Sequence, residues 1–150
     1  MAQSLLLTPL LSIAGLIATS IAGFLAAPGH DAQHIFFALA TVVLGLFSQS
    51  MTMFFFIGTG KEIKEKAGGD DVVVQRTKQF KARVFPAATY AMLVLMVTFI
   101  MGGGVRGGLT PHWLHLTLSV ATVVLYARAY WLEIRAMDEN AKLMERYLGE

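Results

Sequence analysis

Long apolar runs separated by short polar segments dominate the chain. The runs long enough to cross a bilayer as helices cover residues 5–27, 35–57, 85–102 and 113–131. A hydrocarbon core of about 30 Å takes about 20 helical residues to cross. Inside lipid, every backbone N–H and C=O group needs a partner within its own segment, so continuous runs of this kind form helices rather than barrel strands. The pattern predicts an all-α fold, a bundle of four transmembrane helices.

Helical periodicity continues beyond three of the apolar runs. Residues 67–70 have the composition of a turn, and Asp70 is a suitable N-cap for a helix that follows it. After the fourth run, apolar residues recur at intervals of three and four, which places Glu133 on another face. These apolar residues are Tyr130, Ile134, Met137, Ala141, Met144 and Leu148. The second, third and fourth helices are therefore expected to extend out of the membrane, as a hairpin over 58–84 and a C-terminal helix over 132–148 of one single domain.

Composition agrees with a membrane protein. Of the 150 residues, 55% are hydrophobic and only 15% are charged, and the mean hydropathy is +0.59, values unsuited to a soluble domain. The main partner is then the lipid bilayer, and no nucleic-acid partner is expected. Cysteine is absent, which removes disulfides, thiolate metal ligands and cysteine-bound iron–sulfur clusters. Imidazole and carboxylate groups remain as candidate metal ligands.

The distribution of positive charge predicts the topology. Of the twelve Lys and Arg residues, all but Arg106 lie within 61–83 or from Arg128 onward. The positive-inside rule places these segments in the cytoplasm, together with the N- and C-termini. If the protein is bacterial, it lies in the inner membrane, and the connections after the first and third helices face outward.

A polar segment, Ser48-Gln49-Ser50-Met51-Thr52, interrupts the second apolar run. Polar side chains are costly when they face lipid, so these residues are expected to face the interior of the bundle. Two interpretations stay open: the polar lining of a quinone or proton path, and a cluster of hydrogen bonds that holds helices together.

All four histidines lie in two short polar segments, each directly before an apolar run. His30 and His34 are spaced i, i+4, and His112 and His115 are spaced i, i+3, so each pair can share one face of a helix. Both segments lie on the predicted outer side of the membrane. The sequence therefore predicts that the two pairs meet in one site.

Helix starts beside the histidines favour neutral imidazole rings. Asp31 can cap the second helix, while Thr110 and Pro111 suit the N-cap and first turn of the fourth. The positive end of a helix dipole disfavours imidazolium, and a neutral ring can bind a metal. The leading hypothesis is a bound copper, iron or zinc ion. Its expected ligands are His30, Asp31, His34, His112 and His115.

Haem b is the alternative cofactor. His34 and His115 lie deepest of the four histidines and would be its axial ligands. The glycine-rich stretch 102–108 is either a loose connection or a loop folded over the histidines. In the second case Arg106 would present a cation to a haem propionate or another carboxylate. A further alternative is that the four interfacial histidines bind nothing.

The expected function is electron transfer or metal-linked redox chemistry, with the chain as a possible subunit of a larger complex. The alternative is a non-catalytic structural or assembly subunit that docks through its cytoplasmic helices, as a homo-oligomer or with other membrane subunits. The sequence names no reaction, so enzymatic activity is neither assigned nor excluded. No motif identifies a family.

Overall fold

The computed structural model describes residues 2–25 and 31–149, and all the secondary structure within them is helical. Four helices follow one another along the chain. They are α1 (Ala2–Leu25), α2 (Asp31–Lys66), α3 (Asp71–Arg106) and α4 (His112–Leu148). The predicted number of helices is confirmed.

The helices run up and down in two hairpins, α1–α2 and α3–α4. Each of α1 and α3 packs against both α2 and α4, and α2 also packs directly against α4. Within the described residues α1 and α3 do not touch, so α2 and α4 form the short diagonal of the bundle. We call the end where α2 and α4 begin the histidine end, and the end with the α2–α3 turn the hairpin end.

The turn between α2 and α3 forms as predicted. The Asp70 carboxylate accepts a hydrogen bond of 2.9 Å from the backbone N–H of Val72, which is the expected N-cap. Gly68 and Gly69 have φ angles of 60° and 87°, a left-handed conformation that glycine adopts without strain. The long helices α2 and α3 thus meet in a tight connection.

Helix boundaries at the histidine end differ from the prediction. α3 does not end near Gly102 but continues to Arg106, and the Gly104 carbonyl then accepts hydrogen bonds from the backbone N–H groups of Leu109 and Thr110. Pro111 rather than Thr110 is the N-cap of α4. The glycine-rich stretch is therefore mostly helical.

The predicted apolar stripe of α4 is not the buried one. The residues that α4 buries toward its hairpin end are Tyr126, Ala129, Glu133, Ala136 and Asn140. Their three- and four-residue spacing is that of an inward-facing helix seam, but it is shifted by one residue from the prediction. Apolar spacing missed this seam because two of its members, Glu133 and Asn140, are polar.

Side chains on the outside of the bundle are largely apolar. Those that are more than half exposed include Phe36, Phe54, Leu93, Ile100, Val124 and Trp131. Three helices are long and apolar enough to cross a membrane, over Ser4–Leu25, Ala32–Lys66 and Asp71–Arg106. α4 does not reach that threshold, which corrects the expectation of four such segments. Its apolar stretch contains His115 and, near its end, the exposed residue Arg128.

The apolar part of the interior has two centres. Leu16, Leu95 and Tyr126 form one with neighbouring alanines in the middle of the bundle. Phe56, Phe80, Val84 and Ala136 form the other nearer the hairpin end. The extended halves of α2, α3 and α4 thus pack on one another.

Candidate functional site

A cavity of about 560 Å³ opens between the four helices at the histidine end. We call it the histidine chamber. Its walls are mainly apolar, with Leu16, Val42, Leu95 and Phe99 among them, and the polar side chains that line it include His34, Thr41, His112, His115, Ser119 and Thr122. A concave, mainly apolar site with a few convergent polar groups, in this range of volume, is typical of cofactor and small-molecule sites.

Two imidazole rings lie side by side in the histidine chamber. The ring centroids of His34 and His115 are 6.5 Å apart, and the ring planes are inclined by 77°. The Nδ1 atom of His115 lies 3.1 Å from the backbone carbonyl oxygen of Thr98. A carbonyl oxygen only accepts, so Nδ1 carries the proton and donates it, and Nε2 keeps its lone pair free. Metal-binding histidines are commonly held in this way.

His34 has no such partner. Its Nδ1 atom is buried and makes no hydrogen bond with any described residue. Buried side-chain nitrogens are nearly always paired, so an unpaired one calls for an explanation such as a missing ligand, ion or water. His34 therefore has a nitrogen without a partner inside a cavity that could hold a ligand.

Each ring lies against a glycine of the preceding helix. A Cβ atom added to Gly23 would lie 3.1 Å from Cε1 of His34, and one added to Gly102 would lie 2.9 Å from Cε1 of His115. Any larger residue at either position would push the imidazole out of place. The glycines thus leave space for the two rings.

Threonine pairs join each hairpin just below the rings. The hydroxyl oxygens of Thr19 and Thr41 are 3.2 Å apart, and those of Thr98 and Thr122 are 2.7 Å apart. Thr19 also donates to the backbone carbonyl of Gly15, as Thr98 does to that of Val94. The same arrangement is built twice.

This duplication is visible in the sequence. Leu-x₂-Thr-x₃-Gly occurs at 16–23 and again at 95–102, and His-x₅-Ala-Thr-Val-Val-Leu occurs at 34–44 and again at 115–125. The hydrogen bonds from Tyr126 to Gly45 and from Asn140 to Thr59 each join residues 81 positions apart, the same separation as between the two histidines. The two hairpins therefore form an approximate two-fold repeat, with the imidazole rings on either side of its axis.

The remaining predicted site residues are distributed around this pair. His112 and Arg106 line the mouth of the histidine chamber and are exposed to solvent. His30 lies outside the described residues, as does the side chain of Asp31. Among the residues that the structure describes, no three His, Asp or Glu side chains are placed to hold one metal ion.

Two sequence features, other than the spacing of the histidines, indicate this site. One is the pentapeptide Ala-Thr-Val-Val-Leu, which occurs twice and identifies His34 and His115 as equivalent positions. The other is the glycine that follows each equivalent threonine by four residues. A search for internal repeats would have separated this pair from His30 and His112.

In comparisons with known proteins, no protein-family model, no curated protein and no solved structure matches this chain.

Proposed function

We propose that this protein is a small integral membrane electron carrier that binds haem b in the histidine chamber, with His34 and His115 as the axial ligands. The observation that supports it most is the pair of equivalent imidazole rings, related by the internal repeat, within one mainly apolar cavity. Iron with both axial positions filled by histidine exchanges electrons and has no open position for a substrate.

The number of ligands favours haem over a bare metal ion. Haem iron receives its four equatorial bonds from the porphyrin, so it needs only two ligands from the protein. A bare zinc ion needs three or four protein ligands, whereas the described part of the chain brings together two histidines in the interior and one at the rim. A bare copper, iron or zinc ion, the leading hypothesis from the sequence, becomes the alternative.

The separation of the rings fits one metal atom between them. If one nitrogen of each ring faced the same metal atom at about 2.0 Å, the two ring centroids would lie about 6 Å apart. The observed separation is 6.5 Å. Plain edge-to-face ring packing covers about 4.5–7 Å as well. The unpaired Nδ1 of His34 and the free Nε2 of His115 therefore add support that the separation alone does not give.

The mouth of the chamber suits the polar edge of a haem. Arg106 is the last residue of α3 and lines the chamber while remaining exposed. A guanidinium group in this position would pair with a propionate. The apolar walls, including Leu16, Leu95 and Phe99, would face the porphyrin.

The proposal includes α4 as a fourth membrane span. The buried polar residues of α4 face the other helices, whereas Val120, Val124 and Trp131 on its outer face are apolar and exposed. Such a helix presents an apolar surface to lipid in spite of its modest hydropathy. The positive-inside rule then favours a topology with both termini and the hairpin end in the cytoplasm of a bacterial cell, and with the histidine end on the outer face.

Optical spectroscopy of the purified protein tests the cofactor. We expect a Soret band, and α and β bands that sharpen on reduction. The double variant His34→Ala, His115→Ala should lose these bands while keeping its helical circular dichroism. His112→Ala is the matched control, because this histidine lies at the rim, and it should keep the spectrum.

The same preparation distinguishes the alternatives. A stoichiometric metal without a chromophore would replace haem by a bare ion. A preparation with neither, after expression with sufficient iron and haem precursor, would overturn the proposal. Equal loss of the bands in His112→Ala would show that the ligands were chosen wrongly.

Single cysteines test the topology, because the chain contains none of its own. Gly69 lies in the turn at the hairpin end and Gly108 in the connection at the histidine end. Because these two glycines have positive φ angles, substitutions at their exposed neighbours, Lys66→Cys and Leu109→Cys, report on the same two ends without straining the turns. A membrane-impermeant maleimide should label Leu109→Cys in intact spheroplasts and Lys66→Cys only after lysis. The reverse pattern would invert the topology.

A further inference from the structure

A second polar group of side chains lies inside the bundle, on the hairpin side of the chamber. We call it the Glu133 cluster, and it consists of Ser12, Ser48, Gln49, Thr52, Tyr126 and Glu133. All six side chains are completely buried, with relative exposures of 0%. Among the described residues, Glu133 is the only buried Asp or Glu.

The Glu133 carboxyl group has no cationic partner. Its polar neighbours are Gln49 and Thr52 of α2, and neither reaches hydrogen-bonding geometry with it. Tyr126 is the one titratable group nearby. No described lysine, arginine or histidine acts on the carboxyl group. A buried carboxylate without a cation is strongly disfavoured in a protein interior, because it gives up its hydration without a compensating charge.

The packing around the cluster offers no compensating charge from the other helices either. One turn from Glu133, at Ala129, α3 contributes Ala87 and Ala91, and α1 contributes residues such as Leu16. From α1 the nearest polar group is the Ser12 hydroxyl, which faces Tyr126. The charge of Glu133 would therefore be uncompensated from every side.

Three hydroxyl groups of the cluster donate their protons to backbone carbonyls, so only their oxygen lone pairs are available to the other side chains of the cluster. Tyr126 donates to the Gly45 carbonyl at 2.6 Å, Ser12 to the Thr8 carbonyl at 2.8 Å, and Thr52 to the Ser48 carbonyl at 3.2 Å. Since each hydroxyl proton is used on the backbone, what remains toward the cluster is acceptor oxygen. The free donors are the Gln49 amide and the Ser48 hydroxyl, neither of which has a partner.

The Glu133 cluster has several hydrogen-bond acceptor oxygens and one carboxylate, so a bound positive charge, either a metal ion or a proton, would stabilise it. A metal ion would satisfy the oxygen atoms but would face the Gln49 amide N–H groups unfavourably, and hard cations require about six oxygen ligands around them. A proton needs no space, and it turns one carboxylate oxygen into a donor for the Gln49 carbonyl. The chemistry thus favours the proton.

We infer that Glu133 is an internal proton-binding site, and that the bound proton keeps the α2–α4 seam closed at this level. With the proton in place, the neutral acid donates across the seam to Gln49. When the proton is lost, the anion faces the lone pairs of Thr52 and Tyr126, and the seam opens or admits water. This site does not depend on the cofactor, since Glu133 lies outside the histidine chamber.

Infrared spectroscopy of the full-length protein in detergent tests the proton directly. At neutral pH we expect a carbonyl stretching band of a protonated, poorly hydrated carboxylic acid, with the small downshift in D₂O that such groups show. Glu133→Gln should remove the band, because its amide has the shape of the neutral acid without an exchangeable carboxyl proton. Glu139→Gln is the matched control on the same helix, and it should keep the band because Glu139 is paired with Arg83 near the surface.

Three results would overturn the inference. The first is the absence of such a band in the natural protein, and the second is its persistence in Glu133→Gln. The third is a thermal stability that rises with sodium or calcium at constant ionic strength and loses this response in Glu133→Gln, which would make the occupant a metal ion. If Glu133→Gln does not fold, Glu133→Asp retains the carboxyl group and should shift the frequency of the band; an unshifted band would equally overturn the assignment.

Discussion

The histidine chamber and the Glu133 cluster both lie inside the bundle and both include residues of α1, α2 and α4, but they differ in most other respects. The chamber is open, mainly apolar and built from equivalent residues of the two hairpins, whereas the cluster is closed, polar and one-sided. His115 and Glu133 are about 27 Å apart along α4, at 1.5 Å per residue. At an effective dielectric constant of 20, unit charges so separated interact by about 0.6 kcal/mol. The two regions are therefore nearly independent electrostatically.

The difference arises where the internal repeat breaks down. Near the histidines, many equivalent positions hold identical residues, including the threonines and the glycine beside each ring. Further along, Gly45 is matched by Tyr126, and Thr52 by Glu133. The Tyr126 side chain crosses the axis and donates to the Gly45 carbonyl, which only a glycine leaves so open. A duplicated scaffold has thus kept its symmetry at one site and lost it at the other.

The largest expected effect tests the symmetry of the chamber. His34→Ala and His115→Ala, made singly, should weaken haem binding by a similar factor, on the order of 100-fold or about 2.7 kcal/mol each. Haem titration of the apoprotein measures this, with Glu133→Gln as the variant that should leave the affinity unchanged. A large loss in one histidine variant alone would mean that the rings are not equivalent ligands.

Next in size is the effect of filling the space beside a ring. Gly102→Ala places a Cβ atom 2.9 Å from Cε1 of His115, so the imidazole must move and haem affinity should fall about 10-fold, or 1.4 kcal/mol. Gly58→Ala is the control, because it adds a methyl group to a helical glycine with no neighbour within 4 Å. Affinity unchanged in both variants would refute the proposed role of Gly102.

A smaller effect is expected in the seam between the two regions. Tyr126→Phe removes the 2.6 Å hydrogen bond to Gly45 and should lower the free energy of unfolding by about 1 kcal/mol. Tyr90→Phe, at a tyrosine that is 63% exposed, should change it by much less. Reversible unfolding in mixed detergent measures both values. Equal values for the two variants would show that the Tyr126 hydroxyl contributes nothing.

The smallest effect concerns the ion pair at the hairpin end. Arg83 binds both carboxylate oxygens of Glu139 at 3.1 and 3.0 Å, and this hydrogen bonding lowers the pKa of Glu139. A lowered pKa contributes stability above the unfolded-state value, and that stability is lost as the pH falls through the folded-state value. Because both side chains are more than a third exposed, the contribution should be only about 0.5 kcal/mol. Glu139→Gln should remove this acid-dependent part, and Glu145→Gln should not; an unchanged acid response in Glu139→Gln would contradict the assignment.

Sequence reasoning predicted the elements of the fold well because their causes are local. Apolar length predicts the helices, and Asp70 with its neighbouring glycines predicts the turn at the hairpin end. The proximity of His34 and His115 also followed, because topology placed both helix starts at one end. The number of helices apolar enough to span a membrane was overestimated, since polar residues such as His115 and Arg128 lie within the apolar stretch of α4.

The predictions that were wrong concern contacts between helices. The seam of α4 was predicted one residue away from the observed one, so Glu133 was placed on another face of the helix and the burial of Asn140 was not predicted. Which polar residues of neighbouring helices face one another depends on how each helix is rotated about its own axis. Apolar spacing indicates that rotation poorly when the outer face and the buried seam of a helix both contain apolar residues. The equivalent segments 34–44 and 115–125 indicate more reliably which residues of α2 and α4 face each other.

The two-fold axis of the chamber has a consequence for how an unsymmetrical porphyrin would be inserted. Haem b carries two vinyl groups, and each of them changes places with a ring methyl group when the macrocycle is turned over about the in-plane axis that keeps the propionates on the same edge. Walls related by a two-fold rotation present nearly the same surface to both faces, so the two insertion isomers should be populated comparably. The bias between them would come from Ser20 and Phe99, equivalent positions that both line the chamber yet differ in size. Paired haem-methyl resonances in the NMR spectrum of the oxidised protein would report that bias as a ratio.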